Sequence, residues 1–172
     1  MGEESGAIEA DALPGLVLQT EDLGADFVRF DEGPLVRADF QPGPRQDPGR
    51  FGRLDGWKTR FRASNPTDRE GVLVVQSLLD LFEGRGGAEE DLAAYGQEFE
   101  QNGQSNEPVS GQVGDETAAV VFEANGVFFC TVAWRYENVT AAVTTQAFDR
   151  QSALEAFALA QKQQRRIAAA AD

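Results

Sequence analysis

The sequence predicts an α+β domain: a single antiparallel sheet of five to six strands with two main helices. Three apolar runs rich in Val, Thr and aromatic residues, 118–124, 127–136 and 139–147, have the composition of half-buried strands. Only two residues separate each run from the next, which favours antiparallel neighbours. Two stretches with helical periodicity complete the pattern, one at 88–101 and one that begins at Asp149. We expect the order β-β-β-α-β-β-β-α, with the helices packed on one face of the sheet.

The first three predicted strands lie in the first half of the chain. Residues 26–30 form a short strand, and 57–63 form a second one with clean alternation of apolar and charged side chains. The third is the apolar run 72–81, which is typical of a central strand. Its last part, 77–82, fits the start of a helix equally well, because periodicity alone does not separate the two in a short apolar run.

The second half of the chain carries clearer turn and cap signals. Asn125-Gly126 predicts a tight hairpin, because both residue types tolerate positive φ. The last strand has a Thr-rich face that includes Thr140 and Thr144, and we expect that face to lie toward solvent. Asp149 is expected to cap the closing helix, and Ile167 belongs to its sheet-facing stripe.

The predicted domain covers residues 13–169 and follows a disordered acidic tail at 1–12, which lacks any periodicity. Between the first and second strands lies an irregular loop, 32–56. Its four prolines and five glycines prevent a continuous helix or strand. Loops of this length in a compact domain tend to be functional. Phe40 and Phe51 are expected to pin it to the body of the domain.

Positive charge is concentrated around this loop. Nine of the fifteen Lys and Arg residues lie between positions 29 and 69: Arg29, Arg37, Arg45, Arg50, Arg53, Lys58, Arg60, Arg62 and Arg69. They either neutralise an otherwise acidic surface or form a rim that faces an anion or a partner. The net charge of −14 argues against nucleic acid and anionic membranes as partners. No apolar run approaches the roughly 18–20 residues of a transmembrane segment.

Catalytic machinery is not visible in the sequence. Histidine, the most frequent general base near neutral pH, is absent. Cys130 is the single cysteine and lies in an apolar strand, where a thiol is normally a small buried hydrophobe. The two lysines have no Ser-x-x-Lys spacing, and no calcium-loop spacing occurs. We therefore expect a protein that is not an enzyme and that uses no metal or cofactor.

Several short stretches carry a resemblance to a known class of proteins. They are L-x-x-E-D-L-G-A-D-F from Leu18 to Phe27, Gly56-Trp57 at the start of a strand, and Val113-Gly114-Asp115-Glu116 before another. With the final Val/Thr-rich strand and Ala-rich helix, the chain resembles small exported domains of Gram-positive and related bacteria, often lipoproteins of unknown role. Their element order is similar to the PsbP/Mog1-like α/β sandwich. The resemblance spans residues 13–168 and implies no catalytic residues.

This resemblance implies an extracytoplasmic location, as a secreted or membrane-anchored protein whose signal has been removed. A cytosolic protein with a ragged N-terminus is the alternative. The first functional hypothesis is an extracytoplasmic module that binds an unknown small molecule or protein. Its candidate contact residues are aromatic or basic: Trp57, Arg50, Arg53, Arg60, Arg62, Trp134 and Tyr136. For the aromatic members, a place in the core is the alternative. Two further hypotheses are a hydrolase that uses acidic residues and a structural subunit that forms homodimers.

Overall fold

A computed structural model describes residues 7–65, 70–101 and 112–172, with Pro48 described by its backbone alone. The chain forms a six-stranded sheet in which every neighbouring pair is antiparallel, in the order β1-β2-β3-β6-β5-β4. The predicted fold class and element order are therefore confirmed. The strands are β1 Phe27–Pro34, β2 Arg53–Ala63, β3 Val72–Phe82, β4 Glu116–Ala124, β5 Val127–Tyr136 and β6 Val139–Ala147. The helices are α1 Arg85–Gln101, α2 Arg150–Ala153 and α3 Ala156–Ala171.

The two main helices pack on opposite faces of the sheet, so the prediction that they share one face is wrong. Leu92, Tyr95 and Phe99 of α1 contact Ala133 and Ala142. The α3 stripe instead packs with the alternate residues of the same strands, among them Cys130, Val132 and Val143. Because successive side chains of a strand point to opposite faces, the two sets lie on different sides. The sheet is covered on both sides along β5 and β6.

The face under α3 holds the larger apolar core. Its fully buried members include Trp134, Phe61, Leu79 and Ile167. The N-terminal segment completes this layer, and Ile8 lies in the same cluster. The backbone of Ile8 also exchanges hydrogen bonds with the Asn138 side chain. The prediction of a disordered tail is therefore wrong for residues 7–12, where one apolar side chain and one buried amide hold the segment, while residues 1–6 lie outside the described residues.

Local signals in the sequence account for several element boundaries. Asn125 and Gly126 both have positive φ, as the predicted hairpin requires. Asp149 caps α2 by accepting a hydrogen bond from the Ser152 amide, although the predicted closing helix is interrupted between Ala153 and Ala156. Residues 77–82 belong to β3, so the strand interpretation holds there. By composition, Asn65-Pro66-Thr67-Asp68 predicts a turn and the polar stretch 102–111 predicts a loop. The first stretch lies largely, and the second wholly, outside the described residues.

Candidate functional site

The predicted irregular loop contains the chain's most unusual feature, a buried arginine. Between β1 and β2 the chain forms two short 3-10 turns, Arg37–Asp39 and Pro48–Phe51. We call residues 35–52 the Arg45 loop. It lies over the end of β3 beside α1, and the Arg45 side chain enters the gap between them with the residue only 6% exposed. A charged side chain is rarely buried to this extent unless it is paired.

Two aspartates neutralise Arg45. Its Nε donates to Asp91 Oδ1 at 2.8 Å, and one terminal nitrogen donates to Asp91 Oδ2 at 3.1 Å. The same terminal nitrogen donates to Asp80 Oδ2 at 2.9 Å. Asp91 comes from α1 and Asp80 from β3, and both are buried. The loop is therefore joined to a helix and a strand through one guanidinium group.

The charge cluster continues on both sides of Arg45. Arg53 of β2 donates from Nε to Asp80 Oδ1 at 2.6 Å. Thr140 of β6 donates its hydroxyl hydrogen to Asp91 Oδ2 at 2.6 Å. Thr140 is fully buried, so the prediction that the Thr-rich face of the last strand lies toward solvent is wrong at this position. The physical reason is that α1 covers this face and that its buried Asp91 accepts a hydrogen bond from the Thr140 hydroxyl.

Aromatic rings enclose the two arginines. The Arg45 guanidinium carbon lies 3.6 Å from the centroid of the Tyr95 ring and 5.6 Å from that of Phe40. The same atom of Arg53 lies 5.1 Å from the Phe40 centroid. Such contacts stabilise a cation that has lost its water, by about 2 kcal/mol when fully desolvated. Phe40 thus anchors the loop as predicted, through the arginines that it covers.

Burial and charge shift the ionisation of this cluster in defined directions. Burial acts to lower the pKa of Arg45, but Tyr95, Asp91 and Asp80 outweigh it and raise the pKa, so Arg45 stays charged. Burial raises the pKa of Asp80, and the two arginines partly offset that effect. Burial likewise raises the pKa of the Tyr95 phenol, which therefore stays neutral.

A cavity of about 280 Å³ lies beside the cluster, between the Arg45 loop, α1 and the sheet. We call it the groove. Its floor is formed by residues of β3, β5 and β6. Beside the buried Asp80 these are the uncharged residues Gln76, Leu78, Thr131, Ala142 and Thr144. Its walls come from the loop and from α1, and they include Leu35, Asp39, Phe40, Gln41, Arg45, Tyr95, Glu98 and Phe99. Mixed apolar and polar lining of this kind is typical of small-molecule sites, although about 280 Å³ falls just below their usual range of roughly 300–1,000 Å³.

Two carboxyl groups on the groove walls differ in ionisation. Burial raises the pKa of Glu98, with partial opposition from Arg45, whose backbone amide donates to Glu98 Oε1. For Asp39, burial acts upward, but hydrogen bonds from the Lys58 ammonium and the Val36 amide lower its pKa. The pKa values of the two carboxyl groups on the groove walls are therefore shifted in opposite directions.

The structure places the predicted arginines unevenly. Arg53 lies in the charge cluster, and Arg60 borders the groove by donating from Nε to Gln76 Oε1 at 3.0 Å. Arg62 is exposed, with its guanidinium carbon 6.0 Å from the Phe30 centroid. Arg50 is exposed on the loop and donates to the Pro44 carbonyl. Two of the four predicted arginines are therefore brought to the site.

The three predicted aromatic residues lie on the other face of the sheet. Trp134 is 0% exposed, and its Nε1 donates to Gln164 Oε1 at 2.8 Å. Trp57 and Tyr136 are partly buried and pack against the same apolar cluster. All three positions match the alternative interpretation, in which these residues belong to the core.

The three residues at the centre of the charge cluster, Arg45, Asp80 and Asp91, were absent from the predicted set. Arg45 appears in the sequence only as one of nine clustered cations. The available signal was Asp80 in the apolar run of β3, because an aspartate at a central strand position requires a buried donor. Asp91 gives a second signal, since it lies on the same side of α1 as the apolar stripe, one position before Leu92.

Among the described residues, no cluster of three or more acidic or cysteine side chains has the arrangement of a metal site. In the same part of the chain, no helix combines the length and apolar content that a bilayer crossing requires. Cys130 is buried, as predicted.

Comparison with known proteins extends the description of the fold. The chain is similar to the crystal structure of the extracellular domain of PknH from Mycobacterium tuberculosis, with a TM-score of 0.63 and 12% identity. The match covers 94% of this chain and 98% of that domain. At this identity the likeness concerns the fold alone. No protein-family profile and no characterised protein matches the sequence, and no comparison supports the predicted PsbP/Mog1-like resemblance.

Proposed function

We propose that the protein is an extracytoplasmic binding module, without catalytic activity, that receives a small ligand in the groove between the Arg45 loop, α1 and the sheet. The observation that carries the proposal is the combination of a preformed cavity of about 280 Å³ with a buried charge cluster that fixes its walls. Preformed concave sites with a few convergent polar groups are the usual form of a ligand site.

The charge cluster supports a positioning role. A buried ion pair contributes little net stability compared with apolar residues of the same volume. Arg45 nevertheless joins three separate elements within 3.1 Å, and this fixes where the loop lies. A loop fixed in this way needs no ordering when a ligand arrives, which lowers the entropic cost of binding.

The extracytoplasmic location has a weaker basis, the likeness of fold to a domain described as extracellular. The exported domains that the sequence resembles agree with it. The net charge of −14 also favours solubility and repels the chain from an anionic membrane surface.

The groove can be tested by filling it. The purified protein is incubated with a small-molecule extract of bacterial culture and examined by native mass spectrometry. We expect a bound small molecule on the wild-type chain. Thr144→Trp, which fills the groove floor, should lose it, while Ala158→Trp, at an exposed position of α3, should keep it. Equal binding to both variants, or no bound molecule on any of them, contradicts the proposal.

A hydrolase is the second candidate, because Glu98 and Asp39 line one cavity with pKa values shifted in opposite directions. Such pairs supply the acid and base of glycosidases. Both carboxylates, however, already accept hydrogen bonds that serve the loop. Turnover of p-nitrophenyl glycosides that disappears in Glu98→Gln would favour this candidate. No turnover by the wild-type chain would leave the binding module.

A further inference from the structure

We propose, on the basis of the function above, that the groove selects a neutral, hydroxyl-rich ligand of about the size of one sugar ring. The juxtaposition that carries the proposal is a floor with uncharged polar side chains and small apolar patches beside the rings of Phe40 and Phe99, in a cavity whose charged side chains already have partners within the protein. Nothing in the comparisons assigns such a ligand.

Each charged group that lines the groove already has a partner within the protein, and for Glu98 that partner is the backbone amide of Arg45. Arg45 is paired with Asp80 and Asp91. Asp39 is paired with Lys58 at 2.8 Å and accepts the Val36 amide at 2.8 Å. Breaking any of these pairs to accept a charged ligand would leave a charge that has lost both water and its partner, which is strongly unfavourable. The cluster therefore acts as a fixed wall.

Uncharged groups form the floor. The hydroxyl oxygens of Thr131 and Thr144 lie 2.9 Å apart, and one donates to the other. Each hydroxyl has one donor hydrogen and two acceptor positions, so this pair keeps hydrogen-bonding capacity for a ligand. Gln76 accepts from Arg60 with its amide oxygen, which fixes the orientation of its amide nitrogen as a donor. Sugar hydroxyls both donate and accept, and they match such groups.

The remaining surface suits the carbon-bearing face of a ring. Leu78 and Ala142 lie among the polar floor residues, and Phe40 and Phe99 belong to the walls. The volume of about 280 Å³ corresponds to roughly nine water molecules at ~30 Å³ each. A single pyranose ring is an object of this scale, whereas a long acyl chain or an extended peptide is not.

Charge disfavours an anionic ligand, and occupied aromatic faces disfavour a cationic one. An anion would approach a chain of net charge −14 and meet Asp39 and Glu98 on the walls. A cation would find the faces of Tyr95 and Phe40 already occupied by the guanidinium groups of Arg45 and Arg53. A neutral ligand meets neither obstacle.

The test uses three molecules that share one ring and differ in charge: glucose, glucosamine and glucuronate. They are titrated into the ¹⁵N-labelled full chain at pH 7, and amide chemical shifts are followed. We expect saturable shifts with glucose, centred on Gln76, Thr131 and Thr144, and an apparent Kd in the millimolar range. We expect binding at least tenfold weaker for glucosamine and for glucuronate. Tighter binding of either charged sugar overturns the proposal.

Variants separate a groove site from surface binding. Gln76→Leu and Thr144→Val should each weaken glucose binding at least fivefold, while Thr20→Val, at an exposed position outside the groove, should leave it unchanged. The amide spectrum of each variant shows whether it is folded. If all three variants bind glucose equally, the proposal is wrong.

Failure of the ligand class can be distinguished from failure of the proposed function. If no sugar binds, but native mass spectrometry still shows a molecule that Thr144→Trp loses, the groove is a site for another class of ligand. If no sugar binds and no such molecule is retained, both proposals are wrong.

Discussion

The two faces of the sheet differ in the kinds of side chain that they bury. Under α3, the fully buried side chains are mostly apolar, and the polar ones among them form hydrogen bonds, as Gln163 does with Ser77 and with the Leu78 carbonyl. Under α1, a connected chain of arginines and aspartates lies beside a cavity. Apolar burial stabilises a fold in proportion to area, whereas buried ion pairs offset most of their attraction by desolvation. We infer that the α3 face holds the domain together and that the α1 face is shaped for a site.

Arg45→Met should have the largest effect on this contrast. The change removes the cation and leaves Asp91 and Asp80 buried with one partner fewer. We expect a loss of about 3–5 kcal/mol in the free energy of unfolding, measured by urea denaturation. Arg50→Met is the matched control, since Arg50 is an exposed arginine of the same loop. It should change stability by about 0.5 kcal/mol or less.

A second variant tests whether the loss of stability in Arg45→Met comes from uncompensated charge. Arg45→Met combined with Asp91→Leu removes both members of the Arg45–Asp91 pair and should be more stable than Arg45→Met alone. A double variant less stable than the single one would mean that the cluster stabilises the fold by its own attraction. The assignment of different roles to the two faces would then be wrong.

Ile167→Ala tests the opposite face. Ile167 is fully buried in the apolar cluster under α3. Its truncation removes apolar contacts and leaves a cavity, and we expect a loss of about 3 kcal/mol in the free energy of unfolding. The groove should keep its ligand, because no element of the Arg45 loop contributes to this cluster. Ile167→Val provides a graded control, with an expected loss of about 1 kcal/mol.

Gln163→Leu tests the buried hydrogen bonds that Gln163 makes within the mostly apolar layer under α3. Gln163 accepts from the Ser77 hydroxyl at 2.7 Å and donates to the Leu78 carbonyl at 3.1 Å. Leucine leaves both groups buried without this partner, at a cost of about 2 kcal/mol. The Leu18 amide donates to the same Ser77 hydroxyl, so protection of Leu18 from hydrogen exchange should also fall. Unchanged protection would show that the hydrogen bond between the Leu18 amide and Ser77 does not depend on Gln163.

Most of the fold could be predicted because strand composition, turn residues and helix caps are local signals. The Asn125-Gly126 hairpin and the Asp149 cap each require only a few neighbouring residues. The side on which each helix packs is not local. The β3–α1–β4 connection runs from the middle of the sheet to its far edge. Only the side-chain contacts of α1 and α3 show that the two helices cover opposite faces.

The candidate site could not be predicted for a related reason. Asp80 and Asp91 lie 35 and 46 positions after Arg45, and nothing in the immediate sequence surroundings of the three residues identifies them as partners. Aromatic residues attract attention as binding contacts, but Trp134 faces the apolar core, because its strand parity places it under α3. A charge within an apolar strand, such as Asp80, is the better guide to a buried partner.

The smallest effects are expected from two carboxyl groups, Glu98 and Asp149, whose contributions to the free energy of unfolding change with pH in opposite directions. Burial raises the pKa of Glu98 above 4.5, so its ionised form is disfavoured in the folded state and stability falls as pH rises from 4.5 through the folded pKa. Hydrogen bonds from Ser152 lower the pKa of Asp149 below 3.8, so its contribution is present above pH 3.8 and is lost as pH falls through the folded pKa. Glu98→Gln should therefore stabilise the protein at pH 7 and flatten the profile above pH 4.5. Asp149→Asn should slightly destabilise it at pH 7 and flatten the profile below pH 3.8. Urea denaturation midpoints between pH 3 and 7 provide the measurement. A stability change of the same sign in both variants at pH 7 would contradict the contrast between Glu98, whose ionised form burial disfavours, and Asp149, whose ionised form the helix cap favours.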